Sequence, residues 1–425
     1  MKKLLSSLIV VAMMLLSLSV VVAQDDVVEL VMGSWRTEDI EQWDAIFAAF
    51  NETYPNIEIS FEPTLNTEYD GSLQAQLDAG GGPDLITCRP FDISLALYER
   101  GYLAPVNDLL VDADGETAFG PVARSGWIAG DGETVYCVPM ASVLHGFFYN
   151  VAMFEANGWE VPETTDEFLA LLADIDAAGI DPLALGTADG WTNWTMGFHN
   201  NAPNWYGGEA GRQALINGEV ALTDPMFVDP VNFVLAWEPY LADGYSAIGY
   251  ADTQQLFPFG QAAIFPAGSW DIPLFQAEEI EGEFELGAFK PPVPVAGQEC
   301  YVTDHVDIGL GMSTNSDEAK QEAARTFLEW VAGPEFAALY TNAQPGFFSL
   351  SDHPIEITNP VAAEMASWKS ECDTTIRLEA QYLSRGETSP RLEAWRLFPA
   401  AFAGEVTAED MMAELQGYLW YPESE

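Results

Sequence analysis

Residues 27–61 decide the fold, and they read VVELVMGSWRTEDIEQWDAIFAAFNETYPNIEISF. The run from Val27 to Met32 is apolar enough to predict a strand, and the apolar residues from Ile40 to Phe50 recur at helical spacing. A second predicted strand covers Ile57 to Phe61. A strand, a helix and a further strand form a βαβ unit, and repetition of this order predicts a parallel sheet flanked by helices.

The same order is repeated further along the chain. A helix around 69–77 is followed by the breaker Gly80-Gly81-Gly82-Pro83 and by a third predicted strand at 84–87. In open sheets of this type, ligands bind beyond the carboxyl ends of the strands. The side chains expected at the ends of the first and third strands, and so beside one crevice, are Trp35, Arg36, Arg89 and Asp92.

Another strand end carries the chemistry expected for a sugar. Residues 261–271, QAAIFPAGSWD, form an apolar strand that stops at Gly268 and then presents the indole of Trp270 beside the carboxylate of Asp271. The C–H face of a pyranose packs on an aromatic ring, and its hydroxyls need hydrogen-bond partners that replace water. The glycine is expected to let ligand and backbone approach closely. The alternative is that Trp270 is a core residue.

Composition bounds the size of the protein and the class of its partners. With 425 residues, of which 48% are hydrophobic and 12% aromatic, the chain can build two substantial cores. Its 15 Lys and Arg face 66 Asp and Glu, which gives a net charge of -51. Nucleic acid is not an expected partner, because it requires a basic surface stripe. Anionic ligands are disfavoured as well, except where a local arginine clamps a carboxylate, and the acidity indicates a solvated surface.

The first residues predict export. Lys2 and Lys3 precede an apolar run from Leu8 to Val22, and Val21-Val22-Ala23 has the small residues of a cleavage site. These features indicate a secretory signal peptide at residues 1–23. No cysteine follows the apolar run, so a lipid anchor is not expected there. We expect the exported protein in the periplasm or at the extracellular face of the cytoplasmic membrane.

Cysteines and histidines give no sign of a metal or redox centre. An even number of cysteines in an exported chain permits disulfides, and three full pairings remain open. The four cysteines are Cys88, Cys137, Cys300 and Cys372. The four histidines, which lack the spacing of metal ligands, are His145, His199, His305 and His353. We therefore expect neither a metal site nor a cofactor.

Taken in order, several segments resemble the extracellular solute-binding proteins of bacterial ABC sugar importers, the family that includes maltose-binding and oligosaccharide-binding proteins. The segments that carry the resemblance are Met32-Gly33-Ser34-Trp35-Arg36, Gly82–Ile86 with Gly101–Leu103, Val135–Pro139 with Tyr149-Asn150, and Phe259–Ile264 with Gly268-Ser269-Trp270. The likeness spans nearly the whole mature chain. It implies a two-domain α/β periplasmic-binding-protein fold, in which each domain is a mostly parallel sheet flanked by helices and the chain crosses the hinge several times.

The resemblance also implies domain boundaries. An N-terminal lobe would take residues 24–138 and 305–343, and a C-terminal lobe would take residues 139–304 and 344–425. In that family the two lobes close over the ligand as a hinge. The crossings between the lobes are therefore expected where these segments meet.

Ligand contacts are implied by the same resemblance, residue by residue. Trp270 takes the position of a tryptophan that stacks on sugar, and Ser142 and His145 lie where a crossing strand passes the cleft. The second domain adds an aromatic wall. Apart from the resemblance, the late segment from Arg377 to Arg385, with Glu379, Gln381 and Tyr382, is expected to close one end of a longer saccharide. The full set of expected contacts is Trp35, Arg36, Glu68, Arg89, Asp92, Ser142, His145, Trp191, Trp194, Trp270, Asp271 and Arg377.

Besides Trp270, four of these residues have a structural alternative that the sequence leaves open. Arg36 could pair only with acids of its own loop, and Arg89 could anchor its own loop. Trp194 could be a core residue, and Glu68 could be a solvated residue on a helix.

The resemblance implies a binding protein and not an enzyme. Such a protein binds an extracytoplasmic carbohydrate, here an oligosaccharide, in the interdomain cleft and delivers it to an ABC permease by hinge closure. A monomer is expected. One alternative is a secreted glycoside hydrolase, since aromatic side chains and two carboxylates would also line its cleft. Another is a cation-binding or polyamine-binding protein, which the negative charge favours.

Overall fold

The computed structural model describes residues 27–111, 115–276, 284–384 and 388–421. The predicted signal peptide at residues 1–23 lies outside these ranges. Among the helices within them, none combines the length and the apolar character that a membrane span requires.

Within these ranges the chain forms ten strands and eighteen helices. The strands are β1 Val28–Ser34, β2 Ile57–Pro63, β3 Leu85–Cys88, β4 Val138–Asn150, β5 Asp181–Leu183, β6 Ala262–Gly268, β7 Leu286–Phe289, β8 Tyr301–Met312, β9 Phe348–Ser349 and β10 Asp373–Thr375. The helices are α1 Ile40–Thr53, α2 Asn66–Asp78, α3 Asp92–Glu99, α4 Pro121–Ser125, α5 Val151–Asn157, α6 Thr165–Ala177, α7 Gly190–Thr192, α8 His199–Asn201, α9 Pro203–Tyr206, α10 Gly208–Ile216, α11 Pro225–Leu235, α12 Tyr250–Leu256, α13 Ile272–Phe275, α14 Glu318–Val331, α15 Pro334–Ala343, α16 Pro360–Glu371, α17 Pro390–Phe402 and α18 Ala408–Gln416. A π-helical turn, Asn193–Phe198, connects α7 to α8, and a 3₁₀ turn, Ser269–Asp271, follows β6.

Local sequence explains where these elements begin and which face they bury. At the start of α6, the hydroxyl of Thr164 accepts a hydrogen bond from the backbone N–H of Glu167, whose carboxylate accepts one from the N–H of Thr164. This is a capping box, which satisfies two backbone donors that a helix start leaves unpaired. In α1, the buried residues follow the helical spacing of the sequence, and they are Trp43, Ile46, Phe47 and Phe50.

One mixed sheet organises the chain, with the strand order β2-β1-β3-β8-β4-β6-β5. β1 pairs in parallel with β2 and β3, and β5 pairs in parallel with β6. The long strands β4 and β8 pair antiparallel with each other and with the strands beside them, β6 and β3. The α/β class is confirmed. The parallel pairing lies toward the two ends of the sheet, because β4 and β8 run through its centre in opposite directions.

The pairing of β4 with β8 decides which side chains share a face. Val143 lies opposite His305, and Ser142 lies opposite Val306. Opposite residues of an antiparallel pair point to the same face, and successive residues of a strand alternate between faces. His145 therefore shares a face with His305, whereas Ser142 lies on the other face.

Two disulfides resolve the pairing that the sequence leaves open. Cys88 is bonded to Cys137, and Cys300 is bonded to Cys372. The first bond joins the end of β3 to the residue before β4. The second joins the residue before β8 to the residue before β10, and β10 then pairs in parallel with the start of β8. The segment that follows β10 is thereby fixed against β8.

Candidate functional site

A cavity of about 230 Å³ lies where four separate parts of the chain meet. Its walls come from the loop between β3 and α3, from β8, from the segment after β10 and from the start of α17. The polar and charged side chains that line it are Arg89, Asp92, His305, Asp307, Arg377, Glu379, Ser384, Ser389 and Arg391. Three of the predicted ligand contacts, Arg89, Asp92 and Arg377, therefore come together here.

A larger groove of about 420 Å³ lies beside β1, β2 and α2. Glu62 is the one charged residue that lines it, and none of the predicted contacts does so. Its other polar side chains, Thr64, Tyr69, Ser72 and Gln76, are uncharged and come from one part of the chain. The smaller cavity brings charged side chains together from four parts of the chain and includes three predicted contacts, so it is the better candidate site.

The loop after β3 has a strained backbone at the cavity wall. Phe91 has a φ of 62°, and it is the one non-glycine residue with positive φ in the described ranges. Its backbone N–H donates a hydrogen bond of 2.6 Å to the carbonyl of Gly126. Such conformations cost about 1–3 kcal/mol and cluster at functional sites. The ring of Phe91 lines the cavity and lies 6.0 Å from that of His305.

Arg89 both anchors its loop and lines the cavity. Its Nε donates a hydrogen bond of 2.7 Å to Oδ1 of Asp70, and its Nη2 donates one of 2.7 Å to Oδ1 of Asn66. The guanidinium lies over the indole of Trp35, 4.3 Å from the ring centre. Trp35 is consequently buried beneath Arg89. Glu68 is exposed, so the helix α2 contributes its neighbour Asp70 to this arrangement instead.

Two of the lining side chains, Arg377 and Glu379, lie close to groups of opposite charge. Nη2 of Arg377 lies 4.0 Å from Oδ1 of Asp307, and Oε2 of Glu379 lies 2.6 Å from Nε2 of His199. Burial raises the pKa of Asp307 and lowers that of Arg377. Burial alone would raise the pKa of Glu379, but the charge and the hydrogen bond of His199 lower it to about 2. Glu379 is thus ionised and paired with His199, whereas the charge of Arg377 is only weakly balanced by Asp307.

A second group of predicted contacts surrounds Trp270. Its Nε1 donates a hydrogen bond of 2.8 Å to the hydroxyl of Tyr250, and its ring packs edge-on against that of His145 with centroids 5.4 Å apart. Arg36 donates to its main-chain carbonyl at 3.4 Å. Trp191 is half-buried and packs edge-on against Tyr250 at 4.7 Å. Trp270 itself is only 8% exposed.

Gly268 is needed for a different reason from the one expected. A Cβ atom at this position would lie 1.8 Å from the indole ring of Trp270. The group that approaches the backbone so closely is therefore the side chain of Trp270, which folds back from the 3₁₀ turn over the end of β6. We correct the expectation that Gly268 makes room for a ligand.

Asp271 is buried beside this group. Its Oδ1 accepts hydrogen bonds from the hydroxyl of Tyr250 at 2.5 Å and from Nε2 of Gln254 at 2.9 Å. Its Oδ2 is buried without a hydrogen-bond partner among the described residues. Burial raises the pKa of Asp271 to about 7, against the lowering effect of those hydrogen bonds.

Three predicted contacts interact with other side chains of the protein. Ser142 points to the face opposite His145, and its hydroxyl lies 3.4 Å from Nζ of Lys369, which donates to it. Trp194 is buried and stacks on Phe198 with centroids 4.4 Å apart and an interplanar angle of 2°, as a core residue does. Arg36 pairs with both acids of its own loop, Glu38 at 2.9 Å and Asp39 at 2.8 Å, in addition to reaching Trp270.

Several site residues were missed by the sequence reasoning. They are Phe91, His305, Asp307, Tyr250 and Arg391. A signal existed for His305 and Asp307, because residues two apart on one strand share a face. The sequence carries no comparable signal for Arg391, which lies on a helix far along the chain from Arg89, Asp92 and His305. In the described ranges, no group of three His, Cys, Asp or Glu side chains is placed to hold a metal ion. The expectation of a site without metal or cofactor stays a prediction.

Comparison with known proteins identifies the family. Residues 33–338 match the family model described as bacterial extracellular solute-binding protein. The match covers well over half of the 425 residues, so the chain belongs to this family. The resemblance drawn from the sequence is confirmed at this level.

Relatives are similar over different shares of the chain. The multiple sugar-binding protein of Streptococcus mutans is 28% identical over 209 residues, which are 47% of this chain and 47% of that protein. An uncharacterised ABC transporter extracellular-binding protein of Pyrococcus horikoshii is 22% identical over 359 residues, 82% of this chain and 78% of that protein. The chain thus spans only about half the length of the first of these two relatives.

Solved structures share the fold over nearly the whole chain. A chitin oligosaccharide binding protein superposes with a TM-score of 0.76 at 19% identity, covering 92% of this chain and 98% of that chain. The solute-binding protein RafE in complex with raffinose superposes with a TM-score of 0.75 at 22% identity, with the same coverage. At these identities the likeness concerns the fold.

Proposed function

We propose that this protein binds a carbohydrate in the 230 Å³ cavity and delivers it to an ABC permease without changing any bond of the ligand. The observation that carries the proposal is the convergence of guanidinium, carboxylate and hydroxyl groups from four parts of the chain on one small cavity. Guanidinium groups donate to sugar hydroxyls, and carboxylates accept from them. Each such charged hydrogen bond contributes about 1.5–3 kcal/mol, so a few suffice for micromolar affinity.

The names of similar proteins support the ligand class. One curated relative is named as a multiple sugar-binding protein, and two structural neighbours are named for a chitin oligosaccharide and for a complex with raffinose. A carbohydrate is the ligand class common to these names. The saccharides in these names differ in length, so the names support only the class of ligand.

We propose two lobes with the boundaries given in the sequence analysis, closing over the ligand as a hinge. The support is that β4 and β8 lie at the centre of the strand order, with β1, β2 and β3 on one side and β5 and β6 on the other. Two continuous strands between two half-sheets allow rotation with little rearrangement inside either half. A ligand that contacts both halves would favour the closed form, which a permease could recognise.

The remaining parts of the proposal follow from the family. The protein would be exported through the signal peptide at residues 1–23, without a lipid anchor, and act as a monomer that does not bind nucleic acid. Hydrolysis is not part of the proposal. In the cavity, Glu379 is paired with His199 and Asp307 faces Arg377, so neither is a solitary acid poised beside a glycosidic bond.

A ligand screen tests the proposal. Protein starting at residue 24 is mixed with neutral and acidic monosaccharides and oligosaccharides and with spermidine, and the shift in Tm is measured. We expect at least one saccharide to raise the Tm, with calorimetry then giving a Kd near the micromolar range. Stabilisation by spermidine alone, or release of reducing sugar from a bound oligosaccharide, would contradict the proposal.

A further inference from the structure

Cations are scarce in this chain, yet they are concentrated at the cavity. The sequence has 15 Lys and Arg against 66 Asp and Glu. Three of those 15, Arg89, Arg377 and Arg391, line a single cavity of about 230 Å³. A solvated acidic surface gives no reason for such a concentration.

Most of the lining charges are balanced by neighbours. Arg89 is paired with Asp70 at 2.7 Å, and Glu379 lies 2.6 Å from His199. Asp92 also has an interaction of its own. These groups therefore do not demand a charged ligand.

Two guanidinium groups remain, those of Arg377 and Arg391, and each is only weakly paired with the acids around it. Nη2 of Arg377 lies 4.0 Å from Asp307, beyond hydrogen-bond distance, and Nε of Arg377 is buried without a hydrogen-bond partner in the described ranges. The guanidinium of Arg391 lies 5.1 Å from the ring centre of Trp395, and no carboxylate of the described residues lies within ion-pair distance of it. Both side chains are half-buried, where a cation without a close opposite charge is unfavourable. Three carboxylates line the cavity beside its three arginines, but among the described residues neither Arg377 nor Arg391 has a carboxylate at hydrogen-bond distance.

The weak pairing of Arg377 and Arg391 also affects the ionisation of side chains in the cavity wall. Burial and the charge of Arg377 lower the pKa of His305, so its ring stays neutral, and its Nδ1 is buried without a partner among the described residues. Burial lowers the pKa of Arg377 and Arg391 as well. An anion in the cavity would offset these unfavourable terms together.

We infer that the ligand is a saccharide that carries a carboxylate, such as a uronic acid, and that Arg377 and Arg391 bind this carboxylate. The inference rests on the proposed function, because it names the class of carbohydrate for the same cavity. A guanidinium fork matches both oxygens of a carboxylate, whereas a hydroxyl accepts without balancing the charge. The net charge of -51 acts over longer distances, where salt screens it, and so slows association without preventing close contact.

Matched pairs of ligands test the inference. Calorimetry at about 0.15 M salt, where the screening length is about 8 Å, compares glucuronate with glucose and galacturonate with galactose, and the corresponding short oligosaccharides. We expect the acid of at least one pair to bind at least tenfold more tightly than its neutral partner. Arg377→Gln and Arg391→Gln should each remove most of this preference, and Arg377→Lys, which keeps the charge without the fork, should remove part of it.

Controls separate the possible outcomes. Arg396→Gln removes an arginine that is 56% exposed on α17 and should leave the preference unchanged. Unfolding curves show whether each variant folds. If a neutral sugar binds as tightly as its acid, the carboxylate inference is wrong while the proposed function stands. If no saccharide of either kind binds, the proposed function fails and the inference fails with it.

Discussion

Arg36 and Trp270 are separated by 234 residues in the sequence, yet Nη2 of Arg36 donates a hydrogen bond of 3.4 Å to the main-chain carbonyl of Trp270. The same guanidinium is held by Asp39 at 2.8 Å, and both of these side chains are buried. The loop after β1 is thereby tied to the turn after β6. In the proposed two-lobe arrangement, this contact joins one lobe to the other.

Removing one member of the Arg36 pair should be far more damaging than removing both. Arg36→Met leaves the carboxylate of Asp39 buried without its cation, and loss of one partner of a buried pair costs about 3–5 kcal/mol. Arg36→Met combined with Asp39→Leu should recover much of that loss. The measurement is urea unfolding of the three proteins. A double variant as unstable as the single one would show that the pair is not the source of the effect.

Trp270 does not line the 230 Å³ cavity, so Trp270→Ala tests whether the ligand also reaches the second group of predicted contacts. If the indole is a sugar platform, affinity falls at least tenfold, about 1.4 kcal/mol. The burial of Trp270 adds a second effect, because truncating a buried tryptophan costs about 3–5 kcal/mol of stability. Trp270→Phe keeps an aromatic ring and serves as the control. Calorimetry and urea unfolding separate the effects, and unchanged affinity in the alanine variant would reject the platform.

Asp271 makes stability fall as the pH rises. Its pKa is about 7 in the folded protein, against 3.8 as the ordinary value, so over that interval the folded state keeps a proton that the unfolded chain has released. The contribution is at most about 1.4 kcal/mol per pH unit. Asp271→Asn keeps an oxygen that accepts from Tyr250 and cannot ionise. The stability of the variant relative to the natural protein should therefore grow between about pH 5 and pH 7, in urea unfolding at each pH. A pH-independent difference would contradict the assignment.

Arg212 is expected to position the segment that carries Arg377. In α10, it donates two hydrogen bonds to Glu209, at 2.8 and 2.9 Å, and a third to the carbonyl of Ala380 at 3.1 Å. Glu209 in turn accepts from the hydroxyl of Thr375 at 3.0 Å. Arg212→Gln should lower stability by about 1–3 kcal/mol. It should also weaken saccharide binding severalfold, measured by calorimetry.

A matched control for Arg212 lies on α17. Arg396 bonds Glu393 through Nε at 2.8 Å, with the same three-residue spacing and distance as the pair of Arg212 and Glu209. Arg396 is 56% exposed and Arg212 is 2% exposed. An exposed pair contributes about 0–1 kcal/mol, so Arg396→Gln should change neither stability nor affinity much. If Arg212→Gln and Arg396→Gln changed the affinity equally, Arg212 would have no specific role in positioning the segment that carries Arg377.

The disulfide between Cys300 and Cys372 closes a long stretch of chain, with a sequence separation of 72. Chain entropy predicts that replacing both cysteines by serine costs about 4 kcal/mol of stability. Peptide mapping of the unreduced protein should recover this pair and the pair of Cys88 with Cys137. A peptide that links Cys137 to Cys300 would contradict the fold around β8.

Short-range patterns predicted much of the fold. The βαβ order predicted the first three strands. The rule that ligands bind beyond strand ends predicted Arg89 and Asp92, which reach the cavity wall because they follow β3 and β3 pairs with β8. The capping box at Thr164 depends only on Thr164 and Glu167, which lie within one helical turn. In each case the information lies within a few residues.

Long-range contacts were beyond such patterns. Arg391 and His305 line the same cavity only because the fold brings the start of α17, near the end of the chain, close to β8. No periodic signal in the sequence links the two positions. The choice among three disulfide pairings likewise depends on which strand ends meet. The separation of Ser142 from His145 follows from the sequence, since residues three apart on one strand point to opposite faces.

The cavity joins residues 89–93 to Arg377, Glu379, Ser384 and Arg391, so one part of its wall is synthesised early and another part late in translation. A ribosome releases the first part while the second has not yet been synthesised. A nascent chain therefore cannot form the cavity until the segment after β10 and the start of α17 have been synthesised. A chain truncated after β8 lacks Arg377, Glu379 and Arg391 of the cavity wall.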